Sequence, residues 1–346
     1  MQRHPLVIVA MLLLFFAVPV AVATTIRVPL NQPTIQAGVD AASTGDTVLI
    51  APDTYTGEGN WNIEIGTPGI VVASEAGAAA TIIDCQGQGP AITVSAMGDT
   101  STIIQGLTFT GGVGNYQYAG AIYLLRPATL RDCVFHGNQG QNGGAVKLWN
   151  GGTFLIDRCV FRSNGATNWG GAIANNWCML LLRDSVFLDN ESASDGGAVY
   201  LNGGQARIRG CTFVANSGLP SAAVGCGSMT VQEVIMTRSI VAFSTEGSGV
   251  DDEYASAEVA RCCVFENEGG DDLPAASHDN LFEDPRLCSF GMGDVTLCAD
   301  SPCLASSPGN PWATLIGALG QGCGECGSPV MKQSWGCVKA LFRRGQ

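Results

Sequence analysis

The sequence predicts an all-β fold, a parallel β-helix whose rungs are about 26 residues long and hold three short strands each. Three observations carry that expectation. First, Phe109, Phe135, Phe161, Phe187 and Phe213 stand 26 residues apart, and Asn138, Asn164, Asn190 and Asn216 keep the same step. Second, flanking ladders run in phase with them. Cys133, Cys159, Ser185 and Cys211 precede the Phe by two positions, and Leu130, Ile156, Leu182 and Ile208 precede it by five. Third, apolar residues alternate with period two, as in Leu180-Leu182 and Val146-Leu148, and turns rich in Gly, Asn and Asp separate these runs. Parallel strands stacked rung on rung lie about 4.8 Å apart, so equivalent residues stack directly.

The chain opens with Arg3 and His4, followed by an apolar run from Leu6 to Val18 and the small residues Ala21-Val22-Ala23. This pattern predicts a signal peptide over residues 1–23, cleaved after about Ala23, and therefore a secreted or cell-surface protein. No later stretch is apolar enough to span a membrane as a helix. Residues 24–57 are expected to cap the solenoid, because an uncovered first rung would expose the core. There Pro33-Thr34 introduces a short helix whose Ile35, Val39 and Ala42 share one face, and Gly45-Asp46 turns into a strand from Thr47 to Ile50.

Further rungs follow through Ile82-Ile83, Ile92-Val94 and Ile103-Ile104, and then the regular repeats begin. Within a repeat, each residue type has a structural duty. Inward Phe stacks on Phe, and inward Cys fills space as a small apolar group. Asn at the bend accommodates a left-handed backbone and bonds to the Asn of the next rung. The step Gly143-Gly144-Ala145, repeated at Gly170-Gly171-Ala172 and Gly196-Gly197-Ala198, allows positive φ or close approach. After Asn216 the period loosens, but Ser239-Ile240-Val241 and Cys263-Val264-Phe265 keep the outline, giving about nine rungs. The β-helix domain spans residues 24–327, with 284–327 as its closing segment. A basic tail, 328–346, carries Trp335, Val338, Leu341 and Phe342 at helical spacing.

Composition narrows the function. The net charge is −13, with 14% charged and 46% apolar residues. Such a surface repels phosphate backbones, which argues against nucleic-acid partners. It also repels anionic lipids and polyuronates unless a cation bridges. Asp251-Asp252-Glu253 and Asp271-Asp272 are acidic enough for Ca²⁺ but match no EF-hand or Gly/Asp nonapeptide pattern, so they read as solvated loops. Nothing in the sequence demands a cofactor. Fourteen Cys in an oxidising compartment imply some pairing. Cys133 and Cys159 are expected to stay buried thiols, because parallel Cβ vectors strain a bridge. Pairing is placed in the irregular C-terminal segment, for example Cys288 with Cys298 and Cys303 with Cys323. Cys323-Gly-Glu-Cys326 has no second pair following at zinc spacing.

The motif Phe-x-x-Asn followed by Gly-Gly-Ala-Val/Ile resembles the repeat of the bacterial polymorphic outer-membrane proteins, within the pectate-lyase-like superfamily. Its copies are Phe135/Asn138 with Gly143–Val146, Phe161/Asn164 with Gly170–Ile173, and Phe187/Asn190 with Gly196–Val199. The opening segment and the stretch 284–320 resemble the N-terminal cap and closing segment of secreted bacterial β-helix proteins. The resemblance implies a right-handed helix. Two departures bear on activity. About 26 residues follow Gly320, too few for the β-barrel with which outer-membrane members export themselves. The clustered Asp with Arg or Lys of active pectate lyases and polygalacturonases is also missing from the aligned rungs.

Function is then expected on the outward side of the strand after Gly-Gly-Ala. If Ile122, Val146, Ile173 and Val199 point inward, then Tyr123, Lys147, Ala174 and Tyr200 point outward, and Leu125, Trp149, Asn176 and Asn202 follow two places on. Tyr123, Lys147, Trp149 and Tyr200 are the candidate ligand-binding residues, and Tyr123, Trp149 and Tyr200 among them could form an aromatic strip on which sugar rings stack. Arg131-Asp132, Asp157-Arg158 and Arg183-Asp184 swap order between rungs, which favours mutual neutralisation over acid–base catalysis. His136 should be exposed. These readings point to a secreted or surface-held scaffold for adhesion or polysaccharide binding, with an extracellular polysaccharide or cell-surface glycan as partner. The alternative is a polysaccharide lyase or glycoside hydrolase whose site lies in poorly aligning rungs near 250–280.

Overall fold

The computed structural model describes residues 22–95, 102–115, 117–227, 233–250 and 256–326. The expected signal peptide up to residue 21, the Asp251-Asp252-Glu253 run and the tail 328–346 lie outside the described residues. The chain winds as a parallel β-solenoid. One wall is a nine-stranded parallel sheet running from Asp53–Tyr55 to Cys263–Phe265, one strand per rung. The two other walls share a 19-stranded sheet, because strands such as Ile173–Arg183 and Val199–Arg209 continue from one wall into the next. A short fourth ladder was not expected. Gln139–Asn142, Gly165–Trp169 and Glu191–Ser192 pair in parallel where the sequence suggests only turns.

The rung-to-rung register is the sequence period made physical. Phe135 pairs with Phe109 and Phe161, and Phe161 with Phe187. Their rings are stacked at centroid distances of 5.2, 4.7 and 4.8 Å. These Phe side chains are fully buried, together with Cys133, Cys159 and Cys211. The cysteines of this ladder are free thiols, as expected. Ser185 fills the gap in it and accepts from the Cys159 amide at 3.1 Å.

The asparagine ladder is continuous. Asn138 Nδ2 donates to Asn164 Oδ1, Asn164 Nδ2 to Asn190 Oδ1, and Asn190 Nδ2 to Asn216 Oδ1, each at 3.0 Å. Every one of these amides also donates to the backbone carbonyl of a Phe one rung back. The left-handed backbone, however, belongs to the residue before each Asn. Gly137, Ser163, Asp189 and Ala215 have φ of 66°, 52°, 55° and 56°. The Asn side chain binds the bend while its neighbour makes it. A second single-residue bend precedes the Cys-x-Phe strand, at Asp132, Arg158 and Asp184, with φ of 51°, 50° and 44°. In the Gly-Gly step the two glycines divide the work. Gly170 has φ 68°, whereas a Cβ on Gly171 would fall 2.1 Å from the Gly197 carbonyl oxygen.

The helix Ile35–Ala41 caps the first rung, with Thr34 accepting from Ala37 N at 3.2 Å and Ile35 and Val39 buried against the core. At the other end Leu281 N donates to Cys262 O, and His278 N to Val259 O, so residues near 278–281 close the last rung. The segment after Asp284 turns back along the outer face of the nine-stranded wall. There Leu287, Val295, Leu297, Leu304 and Ile316 form a second apolar cluster with Val186, Val214 and Ile240. Gly317 N donates to Arg238 O, and Ala318 N to Thr212 Oγ1.

The disulfides differ from the expected pairs. They join Cys288 to Cys323 and Cys298 to Cys326. The reason is that the stretch near Gln321 runs beside the strand Asp294–Leu297, with Leu297 bridging Gln321 and Gly322 N donating to Leu297 O. That placement brings both late cysteines to the hairpin. Cys303 instead turns into the second apolar cluster and remains a buried thiol.

Candidate functional site

The outward ladder beside the Gly-Gly step has the predicted register. Thr93, Tyr123, Lys147, Ala174, Tyr200 and Gly225 are consecutive partners. Their neighbours Ile122, Leu124, Val146, Leu148, Ile173 and Val199 point inward into the main core. The alternation is therefore as read from the sequence, but the ladder is not an open strip. Tyr123, Lys147, Ala174 and Tyr200 are all buried. The cover comes from the loop around Tyr118 and from the end of the fourth-ladder strand Gly165–Trp169. Tyr118 meets Tyr123 edge-on at 5.6 Å, and Trp169 stacks on Tyr200 at 5.5 Å with 14° between planes.

Lys147 is the centre of this layer. Only 4% of it is accessible. Its Nζ sits 5.5 Å from the Tyr123 ring centroid and 5.1 Å from that of Trp149, and donates to the Gln117 carbonyl at 3.1 Å. Ring quadrupoles attract a desolvated cation. Burial nonetheless pulls its pKa below the ordinary lysine value, and burial raises that of Tyr123, helped by neighbouring Tyr118.

What reaches solvent is a set of three indoles. Trp149 and Trp169 are 39% exposed and Trp177 is 51% exposed. Each lies on a defined support. Trp149 sits over the Lys147 ammonium, and Trp169 over Tyr200. Trp177 has φ 63°, which bends the long strand Ile173–Arg183 between two walls. Its indole lies across the next rung, where a Cβ on Gly203 would come within 2.6 Å of the ring. Inward Asn175 supports this corner by donating to Cys178 O at 3.1 Å. Beside it, Asn202 Nδ2 donates to Asn176 Oδ1 at 3.2 Å.

Of the four candidates drawn from the sequence, Trp149 is thus a surface residue, while Tyr123, Lys147 and Tyr200 form the floor. Trp169 and Trp177 were missed. Trp169 belongs to a strand ladder that alternation did not reveal, and Trp177 sits at a bend where alternation breaks. Their signal was composition: the short stretch from Trp149 to Trp177 carries three of the chain's six Trp.

In the acid–base ladder the Arg131-Asp132 and Asp157-Arg158 rungs neutralise each other. Arg158 bonds Asp132 at 2.8 Å and Asp157 at 2.7 Å, and Arg131 lies 3.4 Å from Asp157. His136 is exposed, its Nδ1 3.3 Å from Arg162 O. Asp271 serves its own loop, accepting from the Glu266 and Asn267 amides at 2.9 Å.

Residues 68–284 match the family described as the right-handed beta helix region. The chain belongs to that family. Among solved structures it is similar to a pectate lyase, Pel9A, with a TM-score of 0.60 at 15% identity over 88% of this chain and 98% of that chain. No curated protein matches. The structural likeness establishes the fold, and fold alone assigns no activity.

Proposed function

We propose that the protein is an extracellular scaffold that binds polysaccharide at the tryptophan-bearing side of its solenoid. The observation that carries this reading is the support under each exposed indole. Trp149 rests on Lys147, Trp169 on Tyr200, and Trp177 on the space that Gly203 leaves. Large apolar rings held out to water at fixed angles lose little conformational entropy on binding, and flat apolar faces suit the C–H faces of sugar rings. Tyr123, Lys147 and Tyr200 act as positioning residues beneath them. The net charge of −13 favours neutral chains over polyuronates unless a cation such as Ca²⁺ bridges. Secretion, expected from residues 1–23, would place the protein where such chains occur.

The lyase alternative is weaker on this geometry. A general base must reach its proton within hydrogen-bond distance. Lys147, the lysine whose pKa burial lowers, is covered by the aromatic layer.

Affinity electrophoresis of the mature protein through neutral and acidic polysaccharides, with and without Ca²⁺, tests both readings. Retention by a neutral glycan should weaken about tenfold in Trp149→Ala or Trp177→Ala, the scale of one anchor residue. Retention that is equal in all variants would refute the indole surface, and release of unsaturated uronate products would establish the lyase.

A further inference from the structure

The segment that folds back along the solenoid gathers four cysteines at one point. Cys288 lies on the strand Leu287–Ser289, and Cys298 directly follows the strand Asp294–Leu297. Cys323 and Cys326 arrive from the stretch beside that hairpin. Two unrelated disulfides would need closeness only within each pair. Here the Sγ atoms of all four residues lie within 4.8 Å of one another. The Cys323-Gly-Glu-Cys326 motif is split between the two bridges, yet its own sulfurs are 3.7 Å apart. Four thiolates around a tetrahedral zinc at about 2.3 Å stand about 3.8 Å apart, which matches the separation across the Cys323-Gly-Glu-Cys326 motif, so once the two bridges open only the sulfurs within each bridge have to part.

The surroundings suit such a site. Cys298 N donates to the Arg286 carbonyl at 2.9 Å, and Cys326 N to Asp300 Oδ1 at 3.3 Å. The Arg286 guanidinium is paired with the other Asp300 oxygen. Backbone and carboxylate thus fix two of the four ligand-bearing residues from outside, as outer partners of metal ligands do. The segment also needs a staple. Its apolar cluster is a small one, separate from the main core, and a core of that size alone supplies little stability.

We propose that Cys288, Cys298, Cys323 and Cys326 form a redox-dependent metal site that binds one zinc ion as a tetrathiolate when reduced and closes as two disulfides when oxidised. Reduction of the two bridges takes four electrons and four protons from two equivalents of a dithiol, each leaving as a cyclic disulfide. Zinc then displaces four protons, one from each thiol, to give a four-coordinate complex of net charge −2. The same fold-back segment is locked in either state.

The test uses the full mature chain, reduced anaerobically with a phosphine and freed of excess reagent. Metal analysis after adding zinc and desalting should give about one zinc per chain. Cobalt added instead should show the visible bands of a tetrahedral thiolate complex, and zinc should bleach them. Cys323→Ser/Cys326→Ser should abolish both signals, whereas Cys211→Ser, whose thiol lies in the buried solenoid ladder, should leave both unchanged. Asp300→Asn should weaken zinc about 10-fold or more while preserving the cobalt spectrum. Failure of the reduced chain to retain zinc, or a cobalt spectrum that survives loss of Cys323 and Cys326, overturns the proposal. Should the segment loosen on reduction, zinc must restore its resistance to proteolysis, and zinc that binds without restoring it counts against the site.

Discussion

Asn164→Ala is the sharpest test of how the solenoid holds together. The Asn164 side chain accepts from Asn138 N at 3.1 Å and Asn138 Nδ2 at 3.0 Å, and it donates to Phe135 O and Asn190 Oδ1 at 3.0 Å each. Truncation removes all four bonds and leaves two buried N–H hydrogens of Asn138 without partners, that of its backbone amide and one of the two on Nδ2, the other staying on Phe109 O. A buried polar group left without a partner costs about 1–3 kcal/mol, so the change should destabilise by about 2–6 kcal/mol. That is a large share of the 5–15 kcal/mol that typically separates folded from unfolded domains. The ladder supplies its own control. Asn138 Oδ1 accepts from Gly112 N at 2.9 Å, so Asn138→Ala strands one backbone donor and should cost about half as much. Equilibrium unfolding in urea, followed by far-UV circular dichroism with matched slopes, measures both. A loss below about 1 kcal/mol for Asn164→Ala, or equal losses for the two variants, would sink the argument that the ladder is a chain of buried, mutually satisfying amides.

Three other outcomes follow from the same geometry. Among the described residues, the buried thiols of Cys85, Cys133, Cys159, Cys178, Cys211, Cys262, Cys263 and Cys303 should resist maleimide in the native protein and react after denaturation without reductant, as read by peptide mass mapping; no labelling of these residues after denaturation would mean that they are paired. Burial pushes the thiols of Cys85, Cys178, Cys211 and Cys262 up to about 12. The unfolded chain deprotonates near 9 and binds fewer protons above that pH, so stability should be full below about pH 9 and fall by up to about 1.4 kcal/mol per thiol per unit towards 12. Urea midpoints that do not move between pH 8 and pH 10.5 would contradict this. Gly203→Ala should displace the Trp177 ring and strain a φ of 81°, lowering both stability and glycan retention; an unchanged tryptophan fluorescence spectrum and unchanged retention would show that Gly203 does not seat the indole.

Legibility in the sequence followed periodicity closely. Phe135, Cys133 and Asn138 each recur 26 residues on, and each falls where stacking requires. The capping helix was legible for a different reason: Thr34 followed by Ile35 and Val39 is a local signal that needs no repeat. Illegible features depend on contacts between rungs and segments. Nothing in Gly165–Trp169 announces a strand, because its pairing with Gln139–Asn142 depends on how two turns stack. The disulfide pairs were misread because spacing along the chain says little about a segment that doubles back, and it is the meeting of Leu297 with Gln321 that selects the partners. Burial of Tyr123 and Tyr200 was invisible for a similar reason. Alternation tells which face a side chain takes, but not whether Tyr118 or Trp169 will close over it.

This contrast separates fold from function within one repeat. A residue that returns on every rung is constrained by its copies above and below, since changing one Phe or one Asn breaks a stack on both sides. A residue that appears once is not held by that constraint. Lys147 stands where adjacent rungs place Tyr123 and Ala174, and Gly225 stands next to Tyr200. Gly203 and Gly227 leave room for the Trp177 ring and the Tyr200 hydroxyl, where a Cβ would lie 2.6 and 1.8 Å away. These departures fit one another, not the period: a large side chain on one rung faces an absent one on the next. Complementary exceptions on a regular scaffold are costly to keep unless something uses the surface they shape. The side of the solenoid where exceptions cluster is therefore where ligand binding should be sought, ahead of the acidic loops and the self-neutralising Arg131, Asp132, Asp157 and Arg158 ladder.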